Sequence, residues 1–419
     1  MKILIKNATI VDLNGPFNGQ VKSILVENGK IRFADPSVSA DQIIEGKKLC
    51  VSIGWFDMRV TMGEPGLEHK EDIDSVSAAA AAGGFTAIAS MPNTKPPVQT
   101  KDAVSYLRNR TGGSLVEIYP IASVTLGNKG EELTEMIDLH TAGAVAFSDG
   151  DKPVWHTDVM LKALQYTQTF EGLVINHAED KLLTHGAQMN ESLVSTRLGL
   201  RGFPKLAEEL MVARDLQILE YTGGRLHFAH VSSPGSLDLI RTAKKKGLQV
   251  TCEIAVYQLV LNEELLTSFD TNYKVNPPLR AQQDIEAYWK AIADDTIDVI
   301  VSDHIPQDVE SKNLEYDLAD FGMIGLETMF ALLNTYNKNI PLEKLVAKFT
   351  QVPRDLLKIE KPSLNEGAIA ELTVFDPEES WTYEEKNIQS KSKNSPFVGQ
   401  TLKGKVKAVV KGKLVKVGS

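Results

Sequence analysis

The chain has 419 residues, 42% of them hydrophobic and 24% charged, with a formal net charge of −10. That composition suits a folded protein with a large core and excludes a disordered chain, while the acidic balance argues against a nucleic-acid surface, which carries a basic face. The two cysteines, Cys50 and Cys252, lie outside any Cys-x-x-Cys spacing, so neither a disulfide framework nor a zinc ribbon is expected and a reducing cytoplasm is the simple reading.

The opening stretch, MKILIKNATIVDLNG, alternates like a strand and lacks the apolar core of a signal peptide. No window reaches the roughly 18 apolar residues of a membrane span, so no membrane partner is expected. KILIKNATIVD and VKSILVENGKIRFA read as strands, with Asn28-Gly29 as a hairpin turn. From residue 51 the texture changes to short apolar runs, each followed by a longer helical stretch. The runs are VSIGWF (51–56), FTAIAS (85–90), LVEIYPIAS (115–123), AVAFS (144–148), GLVINHA (172–178), RLHFAHV (225–231), LQVTCEI (248–254) and IDVIVSD (297–303). Helix-compatible segments such as DSVSAAAAAGG, AEELMVARDLQILEYTGG and GSLDLIRTAKKKG separate them and end in glycine.

Eight alternating units over about 300 residues predict an α/β fold, a (β/α)8 TIM barrel spanning residues 51–365, with its active site at the C-terminal ends of the strands. After residue 365 the β texture returns in GAIAELTVFDP and LKGKVKAVVKGKLVKV. Residues 1–50 and 366–419 are therefore expected to form one small β-sandwich domain from both chain ends. The basic run at 403–419 alternates lysines with small or apolar residues, as a strand with one wet face does. The polar stretch at 307–325 follows the eighth run and reads as a lid over the barrel mouth or as a plain surface loop.

Polar residues just past the strands should converge at that mouth. Strand 4 exits into Asp149, strand 5 into His177, strand 6 into His230 and strand 8 into Asp303. Singly, each reads as a core histidine or a helix cap; together, two imidazoles and two carboxylates are ligand types for zinc or a similar divalent ion. His69, His140, His156, His185 and His227 show no such coincidence and read as structural.

Several segments resemble the dihydroorotases of the cyclic-amidohydrolase superfamily: EPG (64–66), MPNTKPP (91–97), AVAFSDG (144–150), NHAED (176–180), HVSSPGS (230–236), TNYKVNPPLR (271–280) and SDHIP (302–306). The resemblance covers nearly the whole chain. It implies that strand 1 should end in His-x-His, holding one zinc together with the strand 8 aspartate, where this chain has Arg59 and Thr61. It likewise implies two anchors for the substrate carboxylate, an arginine and a histidine, where this chain has Gly63 and Gln307. The Pro-His-His usual after strand 7 reads Ala255-Val256-Tyr257-Gln258. Asn93 and Asn276 match substrate-contacting residues.

Arginine cannot replace a ligand, because its guanidinium stays protonated and offers no lone pair. Its natural partner in a metal-free mouth is a carboxylate such as Asp303 or Asp149. The resulting expectation is a dihydroorotase-like pseudoenzyme of pyrimidine biosynthesis, a homo-oligomer with no cofactor, or with one zinc ion but no two-zinc centre. The resemblance implies aspartate carbamoyltransferase as its protein partner, and a pyrimidine-like small molecule is the ligand expected of the old pocket. The alternative is an active zinc-dependent hydrolase of dihydroorotate or another cyclic amide, in which Asp149, His177 and His230 form a residual three-ligand site and Asp303 acts as general base.

Overall fold

The computed structural model describes residues 2–418. Its centre is a ring of eight parallel strands: β1 (Trp55–Val60), β2 (Phe85–Ser90), β3 (Glu117–Ala122), β4 (Ala146–Ser148), β5 (Val174–His177), β6 (Leu226–Ala229), β7 (Val250–Ala255) and β8 (Val299–Val301). Neighbours in sequence are neighbours in the sheet, and a parallel bridge between Val60 and His304 closes β1 against the exit of β8. The Asp57 carboxylate ties the same seam, accepting from the Ser302 and Arg59 backbone N–H groups at 3.0 Å each.

The expected eight units are all present, with one boundary corrected. VSIGWF is divided between two sheets: Cys50–Ile53 pairs with Leu372–Phe375 and with Thr9–Ile10, and only after Gly54 does the barrel strand begin at Trp55. An unbroken apolar run hides that change of sheet, because both sides of it are buried. The first strand thus continues to Val60, and Arg59 stands within it, one residue from its end.

Small apolar side chains, among them Ala87, Ala89, Ala146 and Ala229, fill the barrel interior with Phe56, Met58 and Val301. Helices cover the outside. Helix α1 (Ile73–Gly83) starts at Asp72, whose side chain accepts from the Ser75 N–H; α2 (Lys205–Thr222) and α3 (Pro234–Lys245) match two of the predicted glycine-terminated segments.

Both chain ends meet in a second, mostly antiparallel eight-stranded sheet with its own apolar cluster, which includes Ile5, Ile24, Val51, Leu372 and Val410. Asn28 and Gly29, both at positive φ, make the expected hairpin turn between Val21–Glu27 and Lys30–Phe33. The basic run lies in the strand Thr401–Lys411, where Lys403 pairs with Glu378 and Lys407 with Glu379 at 2.7 and 2.9 Å, as a wet strand face requires. Among the described residues no helix is long and apolar enough to cross a membrane.

Candidate functional site

The strand exits deliver their polar residues to one end of the barrel. His177 is the last residue of β5, His230 follows β6 directly, and Asp303 is the second residue past β8. His230 and Asp303 sit at φ of 32° and 48°, a region L side chains rarely occupy and one that recurs at functional sites.

Arg59 dominates the centre. Its side chain is 3% exposed, and its Nε donates to Asp303 Oδ1 at 2.9 Å. Nη2 donates to the Gly150 carbonyl at 3.2 Å, and Nη1 lies 3.7 Å from Glu253 Oε1. The other oxygen of Asp303 accepts from the Tyr257 hydroxyl at 2.6 Å and stands 3.4 Å from His230 Nδ1. Burial would raise Asp303, yet His230, the Arg59 charge and the Tyr257 hydrogen bond hold it well below the usual carboxylate range. A carboxylate engaged at both oxygens and this acidic is a weak general base.

The hydrogen bonds continue outward. His230 Nε2 and His177 Nδ1 are 2.7 Å apart, and His177 Nε2 is 2.7 Å from Glu179 Oε2. Asn276 Nδ2 donates to the same Glu179 oxygen at 3.1 Å, and Thr184 donates to the other. Burial disfavours the Glu179 charge, but His177, Thr184 and Asn276 outweigh it and bring its pKa down to about 2. His230 moves down to about 4, through burial first and the Arg59 charge second, so its ring is neutral.

Asp149 stands apart from this chain. Its Oδ1 accepts from the Thr125 N–H at 2.8 Å and its Oδ2 from the Thr125 hydroxyl, while burial moves its pKa up to about 6. The expected trio of Asp149, His177 and His230 is therefore not assembled: the two histidines meet each other, and the aspartate faces Thr125. Among the described residues no group of three or more His, Cys, Asp or Glu is placed to hold a metal ion. Asp303, His230 and His177 have their lone pairs or N–H groups directed at protein partners, and a guanidinium lies between the carboxylates of Asp303 and Glu253. As folded, this donor set does not fit a metal centre.

The remaining expected positions are equally specific. Thr61 donates its backbone N–H to the His304 carbonyl at 2.9 Å. Gly63 has φ of 78°, and a Cβ there would lie 2.4 Å from the Glu71 carbonyl oxygen, so the loop has closed on the space an arginine side chain would leave through. Gln307 donates to the Phe321 carbonyl at 2.7 Å and accepts from Lys70, which occupies it structurally. Asn93 packs against Gly150, with its buried side-chain oxygen unpartnered; the Asn276 oxygen is also unpartnered.

Glu179, Glu253 and Tyr257 were not assigned roles from sequence. Glu253 had a usable signal, as the one charged residue in the buried run LQVTCEI, and Glu179 sits two residues past a strand-exit histidine. Tyr257 lies in the stretch Ala255-Val256-Tyr257-Gln258 that departs from Pro-His-His, and its hydroxyl donates to Asp303.

A closed (β/α)8 ring with a terminal-segment sheet and polar groups at the strand exits defines an amidohydrolase-type barrel. Solved structures agree. An L-hydantoinase (dihydropyrimidinase) from Arthrobacter aurescens matches with a TM-score of 0.86 and 25% identity over 100% of this chain and 96% of its own. A dihydropyrimidinase from Brevibacillus agri, at 0.83 and 19% over 100% and 95%, shares the fold. The dihydro-orotase-like family model matches residues 47–236. Dihydroorotases from Pelotomaculum thermopropionicum and Syntrophus aciditrophicus are 44% and 42% identical, covering 98% and 99% of this chain and 97% and 99% of their own lengths. The chain belongs to the dihydroorotase family.

Proposed function

We propose that this protein is a catalytically impaired dihydroorotase homologue, acting in the cytoplasm as a structural or regulatory partner of aspartate carbamoyltransferase. The observation that carries the reading is the buried Arg59 guanidinium bonded to Asp303. Dihydroorotase chemistry polarises a ring amide and supplies hydroxide near neutral pH, work a bound metal performs in such hydrolases. Here a permanent cation takes the Asp303 oxygen, and repulsion opposes a second cation beside it. Gly63 and Gln307 remove the charge complement to a substrate carboxylate, which at roughly 1.5–3 kcal/mol per charged hydrogen bond lowers affinity for an anion by about a hundredfold or more.

What this chain's own residues do is hold a closed polar network. Arg59 and Tyr257 saturate Asp303, the His230–His177–Glu179 relay is internally bonded, and Asn276 caps it. The protein as purified is expected to carry less than stoichiometric zinc and to leave carbamoyl aspartate and dihydroorotate unconverted. It is also expected to copurify with the transferase and change its activity. A stoichiometric metal together with ordinary dihydroorotase turnover would overturn the impairment; absence of a complex and of any effect on the transferase would overturn the partnership. In the double variant Arg59→His with Thr61→His, zinc binding is expected to appear, because the guanidinium is gone and two imidazoles return.

A second reading, an active hydrolase of dihydroorotate or a related cyclic amide using one zinc, draws support from the near full-length similarity to relatives named dihydroorotase and from the retained His177, His230 and Asp303. It requires Asp149 to turn from Thr125 toward the histidines. Loss of turnover in both His177→Ala and Asp149→Ala, with about one zinc in the parent, is its signature.

A further inference from the structure

The floor of the barrel, at the opposite end from the strand exits, holds a cavity of about 430 Å³, within the size range of small-molecule pockets. It lies where β4, β5 and β6 begin, just after Val145, Leu173 and Arg225, and the segment 357–360 forms another wall. Val145, Leu173 and Ile359 make part of its lining apolar.

Two partly buried arginines also line it, and neither enters an ion pair among the described residues. Arg225 is fixed by backbone: Nη1 donates to the Glu171 carbonyl at 2.9 Å and Nη2 to the Leu356 carbonyl at 2.6 Å, which leaves Nε without a protein acceptor. Burial disfavours its charge, and only the Glu171 carboxylate acts in the other direction. Arg108, from the helix Lys101–Thr111, lies over the Tyr119 ring, 4.4 Å from its centre. Its Nη1 gives one N–H to the Ile118 carbonyl at 3.4 Å, and its Nε and Nη2 have no acceptor in the protein. Gly143 makes room for its stem, since a Cβ there would lie 3.2 Å from Arg108 Cγ. A structural arginine of this molecule looks different: Arg354 is buried and pairs with Glu371 at 2.8 Å.

The surrounding charges leave the arginines available. Glu171 is bonded to Lys358, and Glu360 is exposed, so three cationic side chains stand against two carboxylates in a chain whose net charge is −10. His140 adds a further nitrogen: its ring stacks on Phe170 at 4.6 Å with Nδ1 3.3 Å from the Ala144 carbonyl, and Nε2 has no protein partner.

We infer that this cavity binds a small metabolite carrying two negative charges on oxyanion groups, a phosphate ester or a dicarboxylate, held by the unused N–H groups of Arg108 and Arg225. A guanidinium left with backbone partners keeps donors unsatisfied, and phosphate and carboxylate oxygens both match its fork. Both arginines are held in place before a ligand arrives, which lowers the ordering cost of binding. The organic part of the ligand lies on Val145, Leu173 and Ile359. The inference does not rest on whether the barrel mouth retains activity.

Thermal unfolding of the full chain with inorganic phosphate, pyrophosphate or succinate, each against sodium chloride at equal ionic strength, tests it. At least one of the three is expected to raise the melting temperature beyond the salt control and to saturate in isothermal titration. A response to the phosphates alone assigns a phosphate ester, and a response to succinate alone a dicarboxylate. Arg108→Gln and Arg225→Gln should each weaken that binding by about tenfold or more, because a charged hydrogen-bond donor is lost. Arg225→Lys, which keeps the charge without the fork, should weaken it less. Each variant is read against its own unliganded melting temperature, and Arg108→Gln decides the matter if the Arg225 variants do not fold. Arg32→Gln, an exposed arginine of the terminal-segment sheet, should leave binding unchanged. No response beyond salt to any of the three probes, binding that survives Arg108→Gln, or equal weakening by Arg32→Gln would overturn the inference.

Discussion

Removing the Arg59 head group would leave Asp303 and Glu253, each 1% exposed, without their positive neighbour. Breaking a buried pair from one side typically costs about 3–5 kcal/mol, because the desolvated charge that remains is uncompensated. Arg59→Met, which keeps the stem and loses the charge, should therefore destabilise the protein by that amount in urea unfolding. A change below about 1 kcal/mol would mean that the carboxylates find protons or other donors. Tyr257→Phe removes one hydroxyl from the same carboxylate and should cost about 1–3 kcal/mol. Because both residues serve Asp303, the double variant should lose less than the sum, a coupling that unfolding of the two single variants and the double variant measures directly.

At the scale of elements, the segment past β8 rests on a buried ammonium. Lys312 has its pKa pushed down to about 7, by burial first and by the nearby Lys274 charge second; Lys70 acts in the same direction, while Asp320 and Asp270 oppose it. Unfolded, the lysine holds its proton up to its ordinary 10.5, so above pH 7 the unfolded state binds more protons and folding gains stability as pH rises. The contribution is lost as pH falls through about 7. Across pH 7 to 9, the segment 309–321 should gain on the order of 1–2 kcal/mol of protection in hydrogen exchange, and Lys312→Met should abolish that slope. The same segment shows what sequence can and cannot reveal. Its polarity was legible and placed it outside the barrel, but its attachment depends on carbonyls 8 to 41 residues away, which no local pattern encodes. The eight strands were legible because buried parallel strands read as apolar runs. The strand exits located His177, His230 and Asp303 for the same reason. Arg59 was visible as a misplaced residue, and its carboxylate partner Asp303 was among the two that electrostatics proposed. The orientation of Asp149 toward Thr125, and the hydrogen bond of Tyr257 to Asp303, are tertiary choices that spacing leaves open.

For the whole molecule, the question is whether the barrel and the terminal-segment sheet fold as one unit. Trp55, fully buried at the start of β1, has the rings of Phe85, Phe330, Phe349 and Phe375 at centroid distances of 4.9 to 5.9 Å, and Phe375 belongs to the sheet strand Glu371–Thr382. Around this aromatic cluster the two sheets are stitched by hydrogen bonds: the Gly54 N–H donates to the Glu371 carbonyl at 2.8 Å, the Trp55 N–H to Thr373 Oγ1 at 3.2 Å, and that hydroxyl in turn to the Gly84 carbonyl at 2.6 Å. Arg354, fully buried, donates to Glu371 Oε1 and to the Gly54 carbonyl, both at 2.8 Å. A seam this apolar and this densely bonded resembles a domain core more than a mobile contact, so unfolding should follow a single transition monitored by fluorescence and circular dichroism together. Trp55→Ala opens a large cavity in the seam and should cost about 3–5 kcal/mol. It should also separate the two transitions, because the hydrogen bonds that remain lie at the edge of the void. Two transitions already present in the parent protein would show that the sheet and the barrel fold independently, and a Trp55→Ala variant that still melts as one unit with unchanged stability would show that they are coupled elsewhere.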